Sequence, residues 1–508
     1  MAERRPKLKP GEGADVGVVL EGTYPYVSGG VSSWVHQIIR GLPELRFALL
    51  FIGGEASQYP KMRFELPDNV VHLEEHYLAE ASRRREAKAI AGDAEFLRNS
   101  ERIHDCLRQP GGKLDSEALS RLVRRLEADP RAVQDDFLHS RLSWDKIRER
   151  YSTFCADLSF LDYFWTVRSM HAPLFMLARA AKTFPKCRSF HSISTGFAGF
   201  LGMLLAERTG RPLILTEHGI YSKERRIELL QADWLKDESV SHGAAPDEVS
   251  YTRNLWIRFF EGLGKLTYHA ARPIVALYEG NRERQVKDGA ERDRTDVIPN
   301  GIDLVRFTPL RSKRAKEAPK VLGLLGRVVP IKDIKTFIRT MRIVCTAMPD
   351  AEGWLIGPED EDKNYARECH DLVASLGLEE RVKFLGFQKP DDILPKLGVM
   401  MLTSISEAQP LVLLEGFASG LPCVSSDVGC VRDLVYGATD EDKALGPAGR
   451  VTPIANPEAS ARAAIELLTD GDAWHAAQKA GIERVERFYT LKQMIDRYRE
   501  VYREAVER

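Results

Sequence analysis

The sequence has little of what marks secreted, membrane-spanning or zinc-binding proteins. Its seven cysteines are scattered over 508 residues and none forms a C-x-x-C pair, which is typical of a reducing cytosol and excludes a thiolate zinc site of the usual spacing. The longest apolar stretch, 197–206, has about ten residues, whereas a membrane span needs roughly 20. The opening MAERRPKLKP is charged and unlike a secretion signal. We therefore expect a cytoplasmic protein.

An excess of charge of one sign is also missing. Lys and Arg number 73 against 74 Asp and Glu, a net charge of -1. Without a basic excess the chain has no general attraction to nucleic acid or to an anionic membrane. We expect neither a nucleic-acid partner nor direct membrane insertion. The hydrophobic fraction of 44% is that of a globular protein, and the length predicts about two or three domains.

What the chain does contain is an α/β pattern, visible from its first residues. The short apolar run 15–20 predicts a buried strand, and a turn rich in Gly, Pro and Tyr follows at 21–30. A second apolar run, 48–53, predicts another strand. Between the two, apolar residues recur with the spacing of one helix face: Val31, Trp34, Val35, Ile38, Ile39 and Leu42. Strand, glycine turn, helix and strand open a doubly wound α/β domain.

The remaining pattern predicts two such domains facing a central cleft. We expect an N-terminal domain over 1–307, with a charged helical insertion at about 74–150, and a polar, Pro-bracketed linker over 308–320. A nucleotide-binding domain is expected over 321–485. The final helix, 486–508, is expected to pack back on the N-terminal domain. In this architecture ligands bind at the carboxyl ends of the parallel strands.

Two acidic residues mark one helix of the second domain. Glu407 is predicted in a strand-to-helix turn and Glu415 inside the helix, because Pro410 suits a first helical position and Gly420 an end. Free N–H groups at such a helix start favour phosphate, and carboxylates nearby suit sugar and ribose hydroxyls. The Glu-x7-Glu spacing alone fits equally well a turn residue and a surface salt bridge.

A glycine turn with two cations precedes that helix. Arg327 and Lys332 follow a strand that runs into Gly326. The planar fork of arginine and the mobile charge of lysine both suit a diphosphate. Either cation alone is common in surface loops. The glycine, the Arg, the Lys and then the two glutamates, in this order within one domain, form a much more specific pattern.

No string in the sequence is a convincing metal site. Asp-x-Asp, a string that can bind a divalent metal ion, occurs three times in acidic loops, as composition alone would produce. We therefore expect no metal and no cofactor. The three occurrences are Asp360/Asp362, Asp440/Asp442 and Asp470/Asp472.

Several strings taken together resemble one enzyme family. GRVVPIKD (326–333) and SEAQPLVLLEGFASGLPCVSSDVG (406–429) are similar to the nucleotide-sugar domain of the family-four (GT4) retaining glycosyltransferases, which have the two-domain GT-B fold. Further strings resemble the PelF-type branch, the glycosyltransferases of Pel exopolysaccharide synthesis: LEGTYPYVSGGVSSWVHQII (20–39), STGFAG (194–199), TEHGIY (216–221) and IPNGID (298–303). The resemblance covers roughly residues 15 to 505.

The resemblance implies roles for individual residues. Arg327 and Lys332 would bind the donor diphosphate, Glu407 would contact the transferred sugar, and Glu415 would contact the ribose. The loop between the two glutamates would offer backbone N–H groups to the donor. Its contributors would be Gln409, Leu411 and Val412. In the acceptor domain, Gly29 and Gly30 match the glycine loop that opens the first helix and faces the donor phosphates.

One departure from the family concerns histidine. The wider family often has a His-x-His string whose second histidine lies beside the reacting sugar, but this chain has His191-Ser-Ile193. His191 and His218 are both candidates for the catalytic role. For each of them, a structural histidine bonded to the backbone is an equally good interpretation.

The resemblance implies transfer of a sugar from a UDP-sugar to a growing exopolysaccharide, with retention at the anomeric carbon. The donor phosphate itself would assist the acceptor hydroxyl, and inner-membrane export proteins would recruit the enzyme. Two alternatives stay open. One is a sugar-nucleotide epimerase of the same fold, which needs no acceptor. The other is a non-catalytic nucleotide-binding assembly subunit, which the missing histidine leaves possible.

Overall fold

The computed structural model describes residues 4–82, 89–108, 113–155, 159–231 and 250–507. The chain divides into two compact units. Unit 1 consists of Met1–Val297 with Tyr498–Arg508, and unit 2 of Ile298–Arg497. Each unit is an α/β structure built on a parallel sheet. The predicted fold class, two doubly wound Rossmann-like domains, is confirmed.

Unit 1 has a sheet of seven described strands in the order β3-β2-β1-β4-β5-β6-β7. The strands are β1 (Gly13–Glu21), β2 (Phe47–Gly53), β3 (Val70–Tyr77), β4 (Lys186–Ser192), β5 (Leu213–Glu217), β6 (Ala271–Ala276) and β7 (Thr295–Val297). The helices are α1 (Gly30–Gly41), α2 (Ala94–Arg108), α3 (Ser116–Ala128), α4 (Pro130–His139), α5 (Arg141–Phe154), α6 (Phe160–Thr183), α7 (Gly196–Thr209), α8 (Tyr221–Gln231), α9 (Tyr251–Ala270) and α10 (Glu279–Lys287).

Unit 2 has a sheet of six described strands in the order β10-β9-β8-β11-β12-β13. The strands are β8 (Val321–Leu325), β9 (Glu352–Ile356), β10 (Val382–Phe384), β11 (Val399–Leu402), β12 (Cys423–Ser426) and β13 (Gly449–Thr452). The helices are α11 (Leu304–Phe307), α12 (Ile334–Ala347), α13 (Lys363–Ser375), α14 (Pro390–Ile393), α15 (Leu411–Ala418), α16 (Val431–Tyr436), α17 (Asp440–Lys443), α18 (Pro457–Thr469), α19 (Gly471–Phe488) and α20 (Leu491–Glu507).

The core of unit 1 explains the longest apolar run in the sequence. Residues 197–206 form most of α7 and are all buried, as expected of a helix that is apolar on every side. α7 packs against α9 at Gly199, where an added Cβ would lie 2.4 Å from the hydroxyl oxygen of Thr267. The run is therefore a core helix. No helix among the described residues is both long and apolar enough to cross a membrane.

The helical insertion differs in extent from the expected 74–150. β3 continues to Tyr77, and the helices α2 to α6 run from Ala94 to Thr183. β3 is an edge strand with polar residues in its second half, so the sequence does not show it as a continuous apolar run. α6 then leads the chain back to the sheet at β4. Residues 83–88 and 109–112 of the expected insertion lie outside the described residues.

The expected linker over 308–320 does not separate the units. The boundary falls at Val297/Ile298, because the following residues pack on unit 2. Arg311 donates a hydrogen bond to the carbonyl of Ala418 at 2.7 Å, and Arg314 donates to the carbonyl of Leu397, also at 2.7 Å. Polar, basic composition here reflects side chains that satisfy carbonyl groups.

The final helix, α20, is divided between the units. Its residues up to Arg497 belong to unit 2, and those from Tyr498 onward belong to unit 1. Tyr498 and Tyr502 are both fully buried. Their hydroxyl groups hydrogen-bond Thr216 at 3.0 Å and His191 at 2.6 Å respectively. The last turns of the chain are thus part of the core of unit 1.

Candidate functional site

Two loops of unit 2 meet at the carboxyl edge of its sheet. β8 and β11 are hydrogen-bonded neighbours in parallel register, so the loops that follow them, 326–333 and 403–410, leave the same edge. The backbone N–H of Ile405 donates to the carbonyl of Ile331 at 2.9 Å, and the Thr403 hydroxyl donates to the carbonyl of Lys332, also at 2.9 Å. The two loops therefore hold each other in place.

The loops bring two of the predicted residues into direct contact. The Lys332 Nζ donates to the Glu407 Oε1 at 2.5 Å, and the Ser404 hydroxyl donates to the same oxygen at 2.7 Å. The two side chains of the ion pair are only 20% and 16% exposed. A charge-assisted bond in this partly enclosed position orients both groups. Ser404 was not among the predicted residues.

A glycine supports the loop that carries Glu407. Gly429 has a φ of 53° and its backbone approaches the loop closely: an added Cβ would lie 2.4 Å from the carbonyl oxygen of Glu407 and 2.2 Å from that of Ala408. The next residue, Cys430, donates its N–H to the Ala408 carbonyl at 2.9 Å. A side chain at position 429 would collide with these carbonyl oxygens, so only glycine fits there. The backbone at Gly429 and Cys430 therefore packs directly against the loop that carries Glu407.

Arg327 lies outside this contact. Its guanidinium is 54% exposed and donates to both carboxylate oxygens of Glu361 at 2.6 Å. Glu361 follows β9 and belongs to the acidic run 359–362. From the sequence, this run stands out only for its Asp-x-Asp pair, Asp360 and Asp362. The structure thus brings Lys332 and Glu407 together but gives Arg327 a different carboxylate partner.

The start of α15 offers free backbone donors. Pro410 precedes the helix and supplies no side-chain cap. Among the described residues, the N–H groups of Leu411 and Val412 have no acceptor. Free N–H groups and the helix dipole together make such a position attractive to anions. The donor-binding role of Leu411 and Val412 stays a prediction.

Glu415 is half-buried on α15 and has no hydrogen-bond partner among the described residues. Burial raises the pKa of its carboxyl to about 7, with Arg306 acting to lower the pKa and Asp391 to raise it. Arg306 and Asp391 are themselves paired at 3.0 Å. A carboxyl without a protein partner is suited to accept hydrogen bonds from a ligand hydroxyl.

The side chain of Gln409 makes a contact within the protein, whereas the sequence predicts that this residue offers its backbone N–H to the donor. It is buried, and its Oε1 accepts the backbone N–H of Asn300 at 2.6 Å. The side chain therefore holds the 298–303 segment in place, and its backbone N–H alone could still face a donor. The Asn300 Oδ1 is buried without a hydrogen-bond partner among the described residues. Asn300 belongs to the string IPNGID (298–303), for which the sequence indicates a family resemblance but no role for a single residue.

In unit 1 the predicted glycines open a helix at the carboxyl edge of the sheet. α1 begins at Gly30 after β1, and Gly29 precedes it without any side-chain cap. Both glycines are exposed, and an added Cβ at Gly29 would have nothing within 4 Å. The start of α1 is thus uncovered within unit 1, as an anion-binding helix start requires.

The two candidate histidines lie in different environments. His191 is buried in β4, and its ring nitrogens bond the hydroxyls of Tyr502 at 2.6 Å and Thr216 at 2.9 Å. Burial lowers its pKa to about 3. With both nitrogens engaged, His191 is a structural residue of the core, and the structure contradicts its candidacy as a catalytic group.

His218 keeps a nitrogen available. It follows β5 directly, and its Nε2 is buried without a hydrogen-bond partner among the described residues. Its ring packs edge-on against Trp34 of α1, with centroids 4.7 Å apart. Burial lowers its pKa to about 4, so the imidazole is neutral at pH 7. Trp34, whose Nε1 is also unpartnered, was predicted only as a core residue.

Among the described residues, no group of three or more His, Cys, Asp or Glu side chains is placed to hold a metal ion. That the chain needs no metal stays a prediction.

Two family profiles match the chain. Residues 14–293 match the family described as "Domain of unknown function (DUF3492)", and residues 319–470 match "Glycosyl transferases group 1". The first match covers more than half of the chain and corresponds to unit 1. The second covers most of unit 2, including Lys332, Glu407 and Glu415.

Curated proteins similar to the chain include D-inositol 3-phosphate glycosyltransferases. The protein of Nocardia farcinica (strain IFM 10152) is 29% identical over 258 residues, which is 48% of this chain and 52% of the relative. That of Mycolicibacterium vanbaalenii is 27% identical over 293 residues, 53% of this chain and 60% of the relative. The chain spans about half the length of these curated relatives.

Solved structures share the fold across nearly the whole chain. HepE from Anabaena, in complex with UDP and glucose, has 15% identity and a TM-score of 0.57, over 96% of this chain and 99% of HepE. Sucrose-phosphate synthase from Thermosynechococcus elongatus has 16% identity and a TM-score of 0.56, over 96% and 98%. At these identities the likeness shows the fold, which is GT-B. The chain therefore belongs to the family described as "Domain of unknown function (DUF3492)", and its unit 2 is a glycosyltransferase group 1 domain.

Proposed function

We propose that the chain is a retaining glycosyltransferase that uses a UDP-sugar. The observation that carries the proposal is the contact of Lys332 with Glu407 beside the open start of α15, inside a glycosyltransferase group 1 domain. HepE, which shares the fold, has been solved in complex with UDP, with UDP and glucose, and with UDP-glucose. These complexes support UDP as the nucleotide.

In the proposed complex, unit 2 holds the donor by charge and by backbone. Lys332 and Arg327 bind the diphosphate, and the free N–H groups of Leu411 and Val412 add donors from the start of α15. Glu415, which has no partner among the described residues, accepts hydrogen bonds from the ribose hydroxyls. Arg327 contributes less than Lys332, because its side chain is 54% exposed and solvent weakens an exposed charge contact.

Donor binding is coupled to the release of Glu407. A diphosphate beside Lys332 competes with Glu407 for the ammonium group, because phosphate oxygens are strong acceptors for a charged donor. Glu407 then turns its carboxylate to the hydroxyls of the transferred sugar, while Ser404 keeps the carboxylate oriented. Before the donor binds, the ion pair thus positions the Glu407 carboxylate and leaves neither Lys332 nor Glu407 unpaired.

In the proposed reaction the bond between the anomeric carbon and the diphosphate oxygen breaks, and the acceptor oxygen bonds to the same face of the sugar. The acceptor proton passes to the departing phosphate, so no dedicated protein base is needed. Lys332, Arg327 and the start of α15 stabilise the charge that develops on UDP, which is why we propose no metal. We assign His218, neutral and with its Nε2 unpartnered among the described residues, to a sugar hydroxyl at the carboxyl edge of the unit 1 sheet.

We propose a growing exopolysaccharide of the Pel type as the acceptor, with inner-membrane export proteins as partners. The support is the similarity of the strings at 20–39, 194–199 and 216–221 to the PelF-type branch. These strings lie on unit 1, at the turns after β1, β4 and β5. An acceptor made of neutral sugars suits the uncharged polar groups found there.

The test combines titration and product analysis. Calorimetry with a panel of UDP- and GDP-sugars identifies the donor, and oligosaccharide acceptors then reveal transfer. Growth of the acceptor by one sugar, with UDP released, supports the proposal. Conversion of the UDP-sugar without an acceptor would identify the epimerase alternative, and binding without any turnover would identify a non-catalytic subunit. Glu407→Gln is the control that should bind UDP but transfer nothing.

A further inference from the structure

The helical insertion of unit 1 borders a cavity that none of the candidate donor-binding or catalytic residues lines. Its volume is about 310 Å³, and it lies between α2, α3, α5 and α6 of the insertion and α7 and α9 next to the sheet. Aliphatic and aromatic side chains form most of its wall, among them Leu97, Leu119, Met170 and Phe259. A cavity of this size is within the range of sites that bind small molecules.

Most polar groups of the wall have a partner within the protein. His104 and His171 each donate Nδ1–H to a backbone carbonyl oxygen, of Ser100 and Val167, at 2.7 Å. Their Nε2 atoms face each other 3.0 Å apart as two acceptors, because burial lowers the pKa of both rings and keeps them neutral. Apart from this pair, none of the described lining residues has a buried side-chain nitrogen or oxygen without a hydrogen-bond partner. Water would find few anchors inside, so the interior suits an apolar occupant.

The charged residues that line the cavity are four cations, Arg108, Lys146, Arg150 and Arg258, and one carboxylate, Glu101. Arg108 and Arg258 are exposed, so each contributes both to the cavity wall and to the protein surface. Neither has a carboxylate partner among the described residues. Arg108 lies over the ring of Phe154 at 4.0 Å, and this ring is itself 44% exposed. Lys146 also lines the cavity, but it is paired with acidic side chains.

We propose that this cavity binds a single-chain anionic amphiphile, with the chain inside and the charged head between Arg108 and Arg258. The volume holds roughly ten methylene groups if each occupies about the ~30 Å³ of one water molecule. A carboxylate or a phosphate monoester head would satisfy two arginines equally well. The proposal does not rest on the transferase function, since it concerns residues that have no part in the donor site.

Chain length gives the sharpest expectation. Each methylene group that enters the cavity should raise the affinity about fourfold, and the gain should stop after roughly ten carbons, when the cavity is full. A surface or micelle effect would continue to grow with length. Equilibrium dialysis of the full chain with radiolabelled decanoate as the probe, followed by displacement with saturated carboxylates of 6 to 16 carbons, measures this dependence.

The head group is tested at constant chain length. Dodecanoate and dodecyl phosphate should displace the probe, and their relative affinities tell which head the site prefers. Dodecanol should bind about tenfold more weakly, and dodecyltrimethylammonium should not compete. Arg258→Gln should weaken dodecanoate about tenfold while leaving dodecanol unchanged. Arg98→Gln, on the exposed face of α2 and away from the cavity, is the matched control.

The interior is tested by filling it. Val167→Phe places a ring in the cavity and should weaken every chain at least tenfold, whereas Val305→Phe, at a position that is 86% exposed in unit 2, should change nothing. Thermal unfolding and UDP titration of each variant show whether it is folded. A folded Val167→Phe variant that still binds dodecanoate normally, an affinity that does not vary with chain length, or binding to phosphatidylglycerol vesicles without probe displacement would each overturn the proposal.

Discussion

The carboxyl edges of the two sheets differ in how their candidate groups are held. In unit 2, Lys332 and Glu407 form a charged pair at 2.5 Å, while Glu415 has no hydrogen-bond partner among the described residues. In unit 1, the Nε2 of His218 and the hydroxyls of Ser194 and Thr23 are neutral and buried without a hydrogen bond among the described residues. A paired charge can be exchanged for a charged ligand at little cost, whereas an unpartnered neutral group gains only from a ligand that bonds it. The contrast fits a diphosphate at unit 2 and sugar hydroxyls at unit 1.

The largest expected effect comes from breaking the ion pair on its acidic side. Glu407→Gln should lower transfer by about 10²–10³-fold or more, because a carboxylate contact to the reacting sugar is lost. UDP affinity should stay the same or rise, since Lys332 becomes free for phosphate. Steady-state transfer assays and calorimetry measure the two quantities. Glu361→Gln, which frees Arg327 instead, is the control and should keep its activity.

Removing the cation of the same pair, Lys332, should weaken the binding of UDP. Lys332→Ala should weaken UDP by roughly 10- to 100-fold, as expected for a charge-assisted contact worth about 1.5–3 kcal/mol. Arg327→Ala should lose only a few-fold, because an exposed charge contact contributes less. Calorimetric titration with UDP compares them. Lys335→Ala, which breaks a surface pair with Glu368, should bind normally. Unchanged affinity in Lys332→Ala would place the diphosphate elsewhere.

The two histidines of unit 1 should separate activity from stability. His218→Ala should lower kcat about tenfold with only a small fall in the unfolding midpoint, because it loses packing against Trp34 but no hydrogen bond of Nε2 among the described residues. His191→Ala should instead lower the free energy of unfolding by about 2–4 kcal/mol, because it removes a buried ring and leaves the Tyr502 hydroxyl without its partner, while Thr216 keeps its bond with Tyr498. Urea unfolding and transfer assays on both variants decide; the reverse pattern would return the catalytic role to His191.

A smaller effect should appear in the pH dependence of UDP binding. Burial raises the pKa of Glu415 to about 7, and only its ionised form accepts bonds from both ribose hydroxyls. UDP affinity should therefore rise a few-fold between pH 6 and pH 8, and Glu415→Gln should remove the rise. Stability should show the opposite sign. The folded state binds more protons than the unfolded state from about pH 4.5 to 7, so this carboxyl makes stability fall as pH rises through that window.

The smallest expected effect is that of a chelator. In the proposed donor site, Lys332, Arg327 and the helix start at Leu411 supply the positive charge that stabilises the departing diphosphate, so we expect no need for a divalent ion. Transfer should therefore continue at nearly full rate in excess EDTA. Loss of activity that Mn²⁺ or Mg²⁺ restores would contradict both the metal prediction and the diphosphate site proposed here.

The fold was predictable where strands are apolar and not where they are polar. β1, β2 and β8 are short apolar runs between turn residues, and the sequence indicates them directly. β4, with the sequence KCRSFHS, lies in the middle of the sheet yet resembles a loop. Its polar His191 is tolerated because Tyr502 and Thr216 bond both ring nitrogens. That compensation comes from distant parts of the chain, so local patterning cannot reveal it.

The site was predictable in its residue types but not in its contacts. Lys332 and Glu407 follow neighbouring parallel strands, and that placement brings them to one edge. The local sequence does not show that the Gln409 side chain accepts a hydrogen bond from the backbone N–H of Asn300. Nor does it show that Arg327 pairs with Glu361. The choice between two histidines also needed the structure, because only burial and partners separate them.

The division of α20 has a consequence for the order in which the protein can be made. Tyr498 and Tyr502 complete the core of unit 1, but a ribosome must first synthesise the 200 residues of Ile298–Arg497. At ~5–20 residues per second this takes roughly 10–40 s. During that interval the first 297 residues have emerged with His191 still lacking one of its hydrogen-bond partners. The unit that begins the chain is therefore the last to reach its final state, and its nascent form should be the one that chaperones bind.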